Sequence, residues 1–305
     1  MMSEPEAGAG SAAGGEDIDL PPEGGIAIVD KPPGMTSHDV VARARKLLGT
    51  RKIGHSGTLD PDATGVLVLG VGRATRLLTF ITGLSKSYTA EIVLGTETDT
   101  LDAAGSVTAT FDMSAVTPDD VSTAARRFVG DIEQVPPMVS AIKVDGKRLH
   151  QLAREGIEVE RKPRPVTVSR FDVTPVEPGV YRAEIDCSSG TYVRSLAADL
   201  GRALGGGAHL RSLRRTAVGP YLLADAHPLD DLQVTSAGEG LPHLPVVEVS
   251  EELAIDVGHG KVLAADVLGV AGDGPWQIHD PDGRIVAVSV RHTDGRVKPA
   301  VVLRG

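Results

Sequence analysis

Apolar residues fall in short blocks separated by glycine and proline, and the spacing inside the blocks changes along the chain. Gly25-Ile26-Ala27-Ile28-Val29-Asp30 is an apolar run closed by Lys31-Pro32-Pro33-Gly34, which predicts a strand followed by a turn. Val40, Val41, Ala44, Leu47 and Leu48 then recur at helical spacing, with Thr36 or Ser37 placed to cap the helix and Gly49 to end it. After a glycine-rich stretch, Val66-Leu67-Val68-Leu69 is a fully apolar strand. Residues 86–95 alternate, with Tyr88, Ala90, Ile92 and Leu94 on one face of a half-buried strand. Thr117-Pro118-Asp119-Asp120 opens a second helix, expected to run to Gly130. Strands are predicted at 166–176 and 181–188 and a helix over about 192–204, followed by the basic stretch 209–215. Beyond residue 225 short apolar runs alternate with turn signals, predicting a small all-β unit at 245–305 behind a linker at 226–244. Helices and strands are mixed without strict alternation, so the expected class is α+β, with a mixed, mainly antiparallel sheet and flanking helices.

Composition narrows the function classes. The 305 residues suit two domains. A single cysteine, Cys187, excludes an internal disulfide framework and any cysteine-based zinc site. No run is long and apolar enough to cross a membrane, and the N-terminus lacks the basic and apolar regions of a signal peptide, so a cytoplasmic protein without a membrane partner is expected. The net charge of −10 argues against a polyanionic partner only until it is divided. Residues 1–23, read as a disordered tail, carry −6 and residues 225–305 carry −7, leaving 24–224 at +3. Local field, not the total, steers a nucleic acid.

Chemistry concentrates in Gly54-His55-Ser56-Gly57-Thr58-Leu59-Asp60-Pro61-Asp62-Ala63-Thr64-Gly65. An Asp-Pro between glycines is ordinary turn chemistry. A carboxylate beside a histidine and hydroxyls, on a loop between two structured elements, is also a plausible reactive group. The residues alone do not name a reaction. Asp99 and Asp102 lack the histidine, cysteine or calcium-loop spacing of a metal site, so no metal is expected.

This loop resembles the catalytic signature of the TruB-type tRNA pseudouridine synthases. The resemblance extends through residues 30–41, 86–92, 94–105, 136–160, 187–201 and 207–219 in the family's order, covering about 24–220. It implies a pseudouridine synthase catalytic domain at 24–225, with an RNA-gripping insertion near 140–165, and a small PUA-like β-barrel at the C-terminus. It also implies isomerisation of uridine 55 in the T arm of tRNA, with no cofactor, no guide RNA and no obligate protein partner. The enzyme is expected to be a monomer. The alternative is a non-catalytic tRNA-binding or folding module of the same architecture.

By the same resemblance Asp60 is the essential aspartate and Arg194 its partner, expected to hold the Asp60 pKa down. Tyr88 is the active-site tyrosine, Tyr192 and Leu213 line the uracil pocket, and His55 occupies the space left by the flipped nucleotide. Lys31 also matches, with a packing or phosphate role. Contacts to the RNA backbone are expected from Arg43, Arg51, Lys52, Lys143, Lys147, Arg148, Arg154, Arg211, Arg214 and Arg215. The acidic C-terminal unit is a poor candidate for phosphate contact.

Overall fold

A computed structural model describes residues 20–138, 143–144, 147–148 and 159–303. In chain order the first strands are β1 (Gly25–Lys31), β2 (Ile53–His55), β3 (Thr64–Val71), β4 (Lys86–Leu94), β5 (Thr96–Thr98), β6 (Val107–Thr110) and β7 (Gly130–Gln134). They are followed by β8 (Lys143–Val144), β9 (Lys147–Arg148), β10 (Arg164–Glu177), β11 (Val180–Cys187) and β12 (Ala208–Val218). Short strands β13 (Tyr221–Leu222), β14 (His227–Pro228) and β15 (Thr235–Ser236) close the main sheet.

That sheet has eleven strands, in the order β14-β1-β3-β12-β4-β11-β10-β7, with β2, β13 and β15 pairing onto β3, β12 and β1. It is mainly antiparallel. The parallel pairs are β1 with β14 and β3 with β12. The expected α+β class and mixed sheet are what the structure has. Alternation in β4 buries Lys86, Tyr88, Ala90, Ile92 and Leu94, while β3 is buried along nearly its whole length because both of its faces are covered.

Helix α1 (Ser37–Leu47) starts at Thr36, whose hydroxyl accepts from Asp39 N while the Asp39 carboxylate accepts from Thr36 N. Val40, Val41 and Ala44 face the core, but Leu47 lies at the solvent edge, outside the predicted apolar stripe. A short helix α2 (Thr79–Thr82) follows a 3₁₀ turn at Gly72–Leu78. Helix α3 (Pro118–Arg126) is capped by Thr117 and stops short of the expected end. Gly130, at φ +113°, instead opens β7. Helix α4 (Val193–Ala203) packs its apolar face on β12 and contributes Leu196, Ala197 and Leu200 to the core beneath β4 and β11.

Three domain expectations need correcting. Leu20, assigned to the tail, packs against the cluster under α1; residues 1–19 of that tail lie outside the described residues. The stretch 226–244 is not a free linker: β14 and β15 hydrogen-bond to β1, and Leu229, Leu232, Leu241 and Leu244 are buried. The C-terminal unit is not all-β. Strands β16 (Val246–Glu248), β17 (Trp276–His279), β18 (Ile285–Arg291) and β19 (Val297–Val302) form one sheet, joined by α5 (Glu251–Gly258) and α6 (Ala265–Leu268). Ser250 caps α5, a helix start that the turn-rich reading of the region passed over.

Candidate active site

The loop between β2 and β3 is held by its own backbone carbonyls. Lys31, fully buried, donates from Nζ to Pro61 O and Pro32 O, both at 2.8 Å. Ser37 Oγ accepts from Leu59 N at 2.9 Å and donates to Leu59 O at 3.3 Å. Arg215 donates from Nη2 to Gly57 O at 3.1 Å, from Nη1 to Thr58 O at 3.5 Å, and from Nε to Val66 O at 2.7 Å. With Leu59 also buried, the segment on either side of Asp60 has no freedom to drift. Lys31 is therefore a packing residue, its pKa lowered to about 8 chiefly by burial, and it is out of reach of a phosphate.

Asp60 faces Arg194 side-on. Arg194 Nη2 donates to Oδ1 at 3.1 Å and Nε lies 2.9 Å from Oδ2, a two-point pair that fixes the carboxylate plane. Nη1 donates to Thr100 O at 3.0 Å and lies 3.5 Å from Asp102 Oδ2. The Arg194 side chain is 5% exposed against 38% for Asp60, so the arginine is sealed behind a carboxylate that opens on a cavity. Arg194 sits in the first turn of α4, where the helix dipole disfavours a cation; two carboxylates and a carbonyl offset that.

The sign of the Asp60 shift is opposite to the expected one. Burial raises its pKa above the ordinary 3.8 and outweighs the opposing Arg194, with Asp102 adding to the rise. Arg194 divides its charge between two carboxylates, while burial in the loop strips water from much of Asp60.

That cavity holds about 250 Å³ and is lined by Asp60, Tyr88, Tyr192, Arg194, Leu213 and Arg215, with Ser56, Thr82 and Lys86 on its polar side. Four expected residues, Asp60, Tyr88, Tyr192 and Leu213, thus share one wall with Arg194. Tyr88 rises from β4, buried, with its phenol pKa raised by burial against the opposing charge of Arg215. Leu213 sits opposite Ala90 in the β12–β4 register. Tyr192 caps α4 and is stapled by the buried Gln134, which accepts from Tyr192 N at 2.8 Å and donates to Tyr192 O at 3.1 Å.

His55 ends β2 beside this loop, not among the cavity's lining residues. Gly57 N donates to its Nδ1 at 3.3 Å, which leaves Nε2 to carry the proton of the neutral ring. Its pKa lies below the ordinary 6.5, first through burial, then through His38 and Arg215. The His38 ring meets it edge-on, with centroids 5.4 Å apart.

The expected RNA-backbone residues divide. Arg51 and Lys52 are exposed next to β2 and hold no ion pair among the described residues. Arg43 is exposed but pairs with Asp230 at 2.9 Å. Arg211 is held by Glu91 and Glu177, and Arg214 by Asp30 at 2.7 Å, so both spend charge within the sheet. Arg215 is a correction: it is 1% exposed, with its guanidinium turned into the Asp60 loop, and cannot meet a phosphate. Arg154 and the side chains of Lys143, Lys147 and Arg148 lie outside the described residues.

Sequence reasoning missed Gln134 and Lys86 and weighed Asp102 only as a metal ligand. Lys86 had a signal, since it shares the apolar face of β4 with Tyr88; it donates to Thr82 O and Leu84 O, and burial lowers its pKa to about 8. Among the described residues no cluster of histidine, cysteine or carboxylate side chains could hold a metal, and no helix is long and apolar enough to cross a membrane.

Three family descriptions match successive parts of the chain. "TruB family pseudouridylate synthase (N terminal domain)" covers 45–193, "tRNA pseudouridylate synthase B C-terminal domain" 194–240, and "tRNA Pseudouridine synthase II, C terminal" 244–304. A tRNA pseudouridine synthase B from Arthrobacter sp. (strain FB24) is 47% identical over 296 residues, spanning 91% of this chain and 96% of the relative. One from Rhodococcus jostii (strain RHA1) is 48% identical, over 92% and 94%. Among solved structures, a chain of a Cbf5-Nop10-Gar1 complex superposes with a TM-score of 0.68 at 27% identity, over 92% of this chain and 84% of that one.

Proposed function

The chain belongs to the TruB family of pseudouridylate synthases, an isomerase making pseudouridine in tRNA, and we propose from that premise that its target is uridine 55 of the T arm. The reaction rearranges one nucleoside. The bond from ribose C1′ to uracil N1 breaks, the base turns, C1′ bonds to C5, and the C5 proton leaves as N1 gains one. Atoms and electrons balance without an oxidant, a reductant or a group donor, so the proposed route uses no cofactor.

The observation that carries this reading is the two-point Asp60–Arg194 pair opening on a small cavity against Tyr88. Cleaving a glycosidic bond builds oxocarbenium-like charge at C1′, and the Asp60 carboxylate supplies the opposing charge there. Arg194 fixes the plane of that carboxylate but, shared with Asp102, leaves it electron-rich. Leu213 and the Tyr88 ring exclude water, without which a cleaved base would be lost to hydrolysis. With its raised pKa, Tyr88 enters the reaction as a neutral phenol that donates a hydrogen bond. A uridine inside a folded loop must leave its stack to reach this cavity, at a cost of about a few kcal/mol. Neutral His55, half-buried and held edge-on by His38, fills the space it leaves.

We read the enzyme as a stand-alone cytoplasmic monomer that grips the T arm by shape, through the basic insertion and the Arg51–Lys52 corner. The chain of the Cbf5-Nop10-Gar1 complex to which it is similar was solved with partner proteins; the resemblance of 140–165 to the family's RNA-gripping insertion supports independence from such partners and from a guide RNA. The test is an unmodified T-arm transcript incubated with enzyme alone and assayed for pseudouridine by mass tagging. Wild type converts one uridine, at position 55. Asp60→Ala makes no product while tRNA affinity, carried by phosphate contacts, stays within about tenfold. Turnover by Asp60→Ala, or product at another uridine, would overturn the assignment.

A further inference from the structure

Arg215 is the largest side chain among those fully buried, and its burial is unexplained by packing alone, since an arginine in a dry interior is tolerated only when its donors are spent. They are spent on the catalytic apparatus. Nε reaches Val66 O in the strand that leaves the loop, while Nη2 and Nη1 reach Gly57 O and Thr58 O in the loop itself, the latter two residues before Asp60. β12 also places Arg215 directly across from Tyr88 in register, and both side chains line the cavity.

We infer that Arg215 is a positioning residue for both reacting groups, clamping the loop that carries Asp60 and bracing Tyr88 as its cross-strand neighbour at the cavity wall. The inference rests on the reading above. The planar fork matters: a lysine keeps the charge but has one nitrogen for acceptors that Arg215 meets with three.

The test is a set of Arg215→Lys, Arg215→Gln and Tyr88→Phe variants plus the Tyr88→Phe/Arg215→Lys double, with rates normalised to the folded fraction. Single-turnover rates are expected to fall about 100-fold or more for Arg215→Gln and about tenfold or more for Arg215→Lys, with KM for a T-arm stem-loop within about threefold. The double variant should fall short of the product of its two single losses by about tenfold or more, because one acts partly through the other. Hydrogen exchange at amides 56–60, which needs no substrate, should quicken in Arg215→Lys while exchange in β10 and β11 holds. Wild-type rates in Arg215→Lys, a loss confined to KM, fully multiplicative losses, or unchanged loop exchange would each overturn the inference. Absence of product from the wild type would instead sink the functional reading, and the exchange measurement would still judge the clamp.

Discussion

At the scale of single residues, the site is built on an ion pair whose members are not equally content. The Asp60 pKa is raised in the folded chain, so its ionised form costs folding free energy at every pH above its folded pKa, and that cost fades as pH falls through it. Asp60→Asn keeps the shape and removes the charge, leaving Arg194 with Asp102 and Thr100 O. It should therefore abolish turnover yet melt no lower than wild type at neutral pH, with the gap between the two narrowing in acid; a variant that melts well below wild type at neutral pH would contradict the sign. This is the usual exchange of stability for a reactive group. Activity, needing the carboxylate, should fall with acid along a limb lying above the ordinary aspartate position, read from single-turnover rates against pH. Arg194→Lys removes the two-point geometry while keeping a charge, and should lose most of the rate, on the order of tenfold to 1000-fold, without regaining it at higher substrate. Full activity with lysine would show that charge alone suffices.

At the scale of elements, the crossing of β3 and β12 decides whether the site exists. The two strands pair in parallel over only Arg214–Thr64 and Arg215–Gly65, and Gly65 has φ +98°. A Cβ there would lie 2.1 Å from Arg215 O, a backbone atom that cannot step aside. Gly65→Ala should accordingly cost several kcal/mol, as strained backbone plus a steric clash, and lower both melting temperature and rate; an unaltered melt would mean the strands meet less closely than described. The same crossing explains what could be read in the sequence and what could not. Strand β4 was legible because Tyr88, Ala90, Ile92 and Leu94 alternate, and α1 and α3 because a Thr cap stands three residues before an Asp. Strand β12 was not, since Arg211, Arg214 and Arg215 make it look like a phosphate-binding stretch. Their charges are consumed by Glu91, Glu177, Asp30 and loop carbonyls that are distant in sequence, and no local pattern announces such partners. Asp60, Tyr88, Arg194, Tyr192 and Leu213 were named through a family resemblance, not through periodicity. Gln134 and Asp102 stayed hidden because their roles are to hold a neighbour, which only three-dimensional contact reveals.

At the scale of the whole molecule, a chain of net charge −10 must engage a polyanion through one local face. Three candidate cations of the catalytic domain are already neutralised at short range: Arg43 by Asp230, Arg211 by Glu91 and Glu177, Arg214 by Asp30. The C-terminal unit is acidic, at −7 over residues 225–305, yet it is not detachable. Ile285, Val288, Val301 and Leu303 share one core with Ile26, Val66 and Val68 of the main sheet, and Arg73 and Arg76 donate to Leu303 O and Val302 O. At about 1.5–3 kcal/mol for each large apolar side chain buried, losing that contact rivals a domain's whole net stability of about 5–15 kcal/mol. The unit's place in the molecule is thus explained by folding alone. The proposed reading therefore assigns binding to the insertion and to Arg51 and Lys52, which are exposed just before β2. An Arg51→Glu/Lys52→Glu double variant should raise KM for tRNA about tenfold or more at moderate salt while leaving single-turnover rates at saturation within about twofold, since no reacting atom is touched. The slope of log affinity against log salt should fall by about one for each lost phosphate contact. Titrating tRNA binding across salt concentrations reads this directly: an unchanged slope would move the RNA face away from this corner, and a lost saturating rate would show that the corner shapes the cavity as well as feeding it.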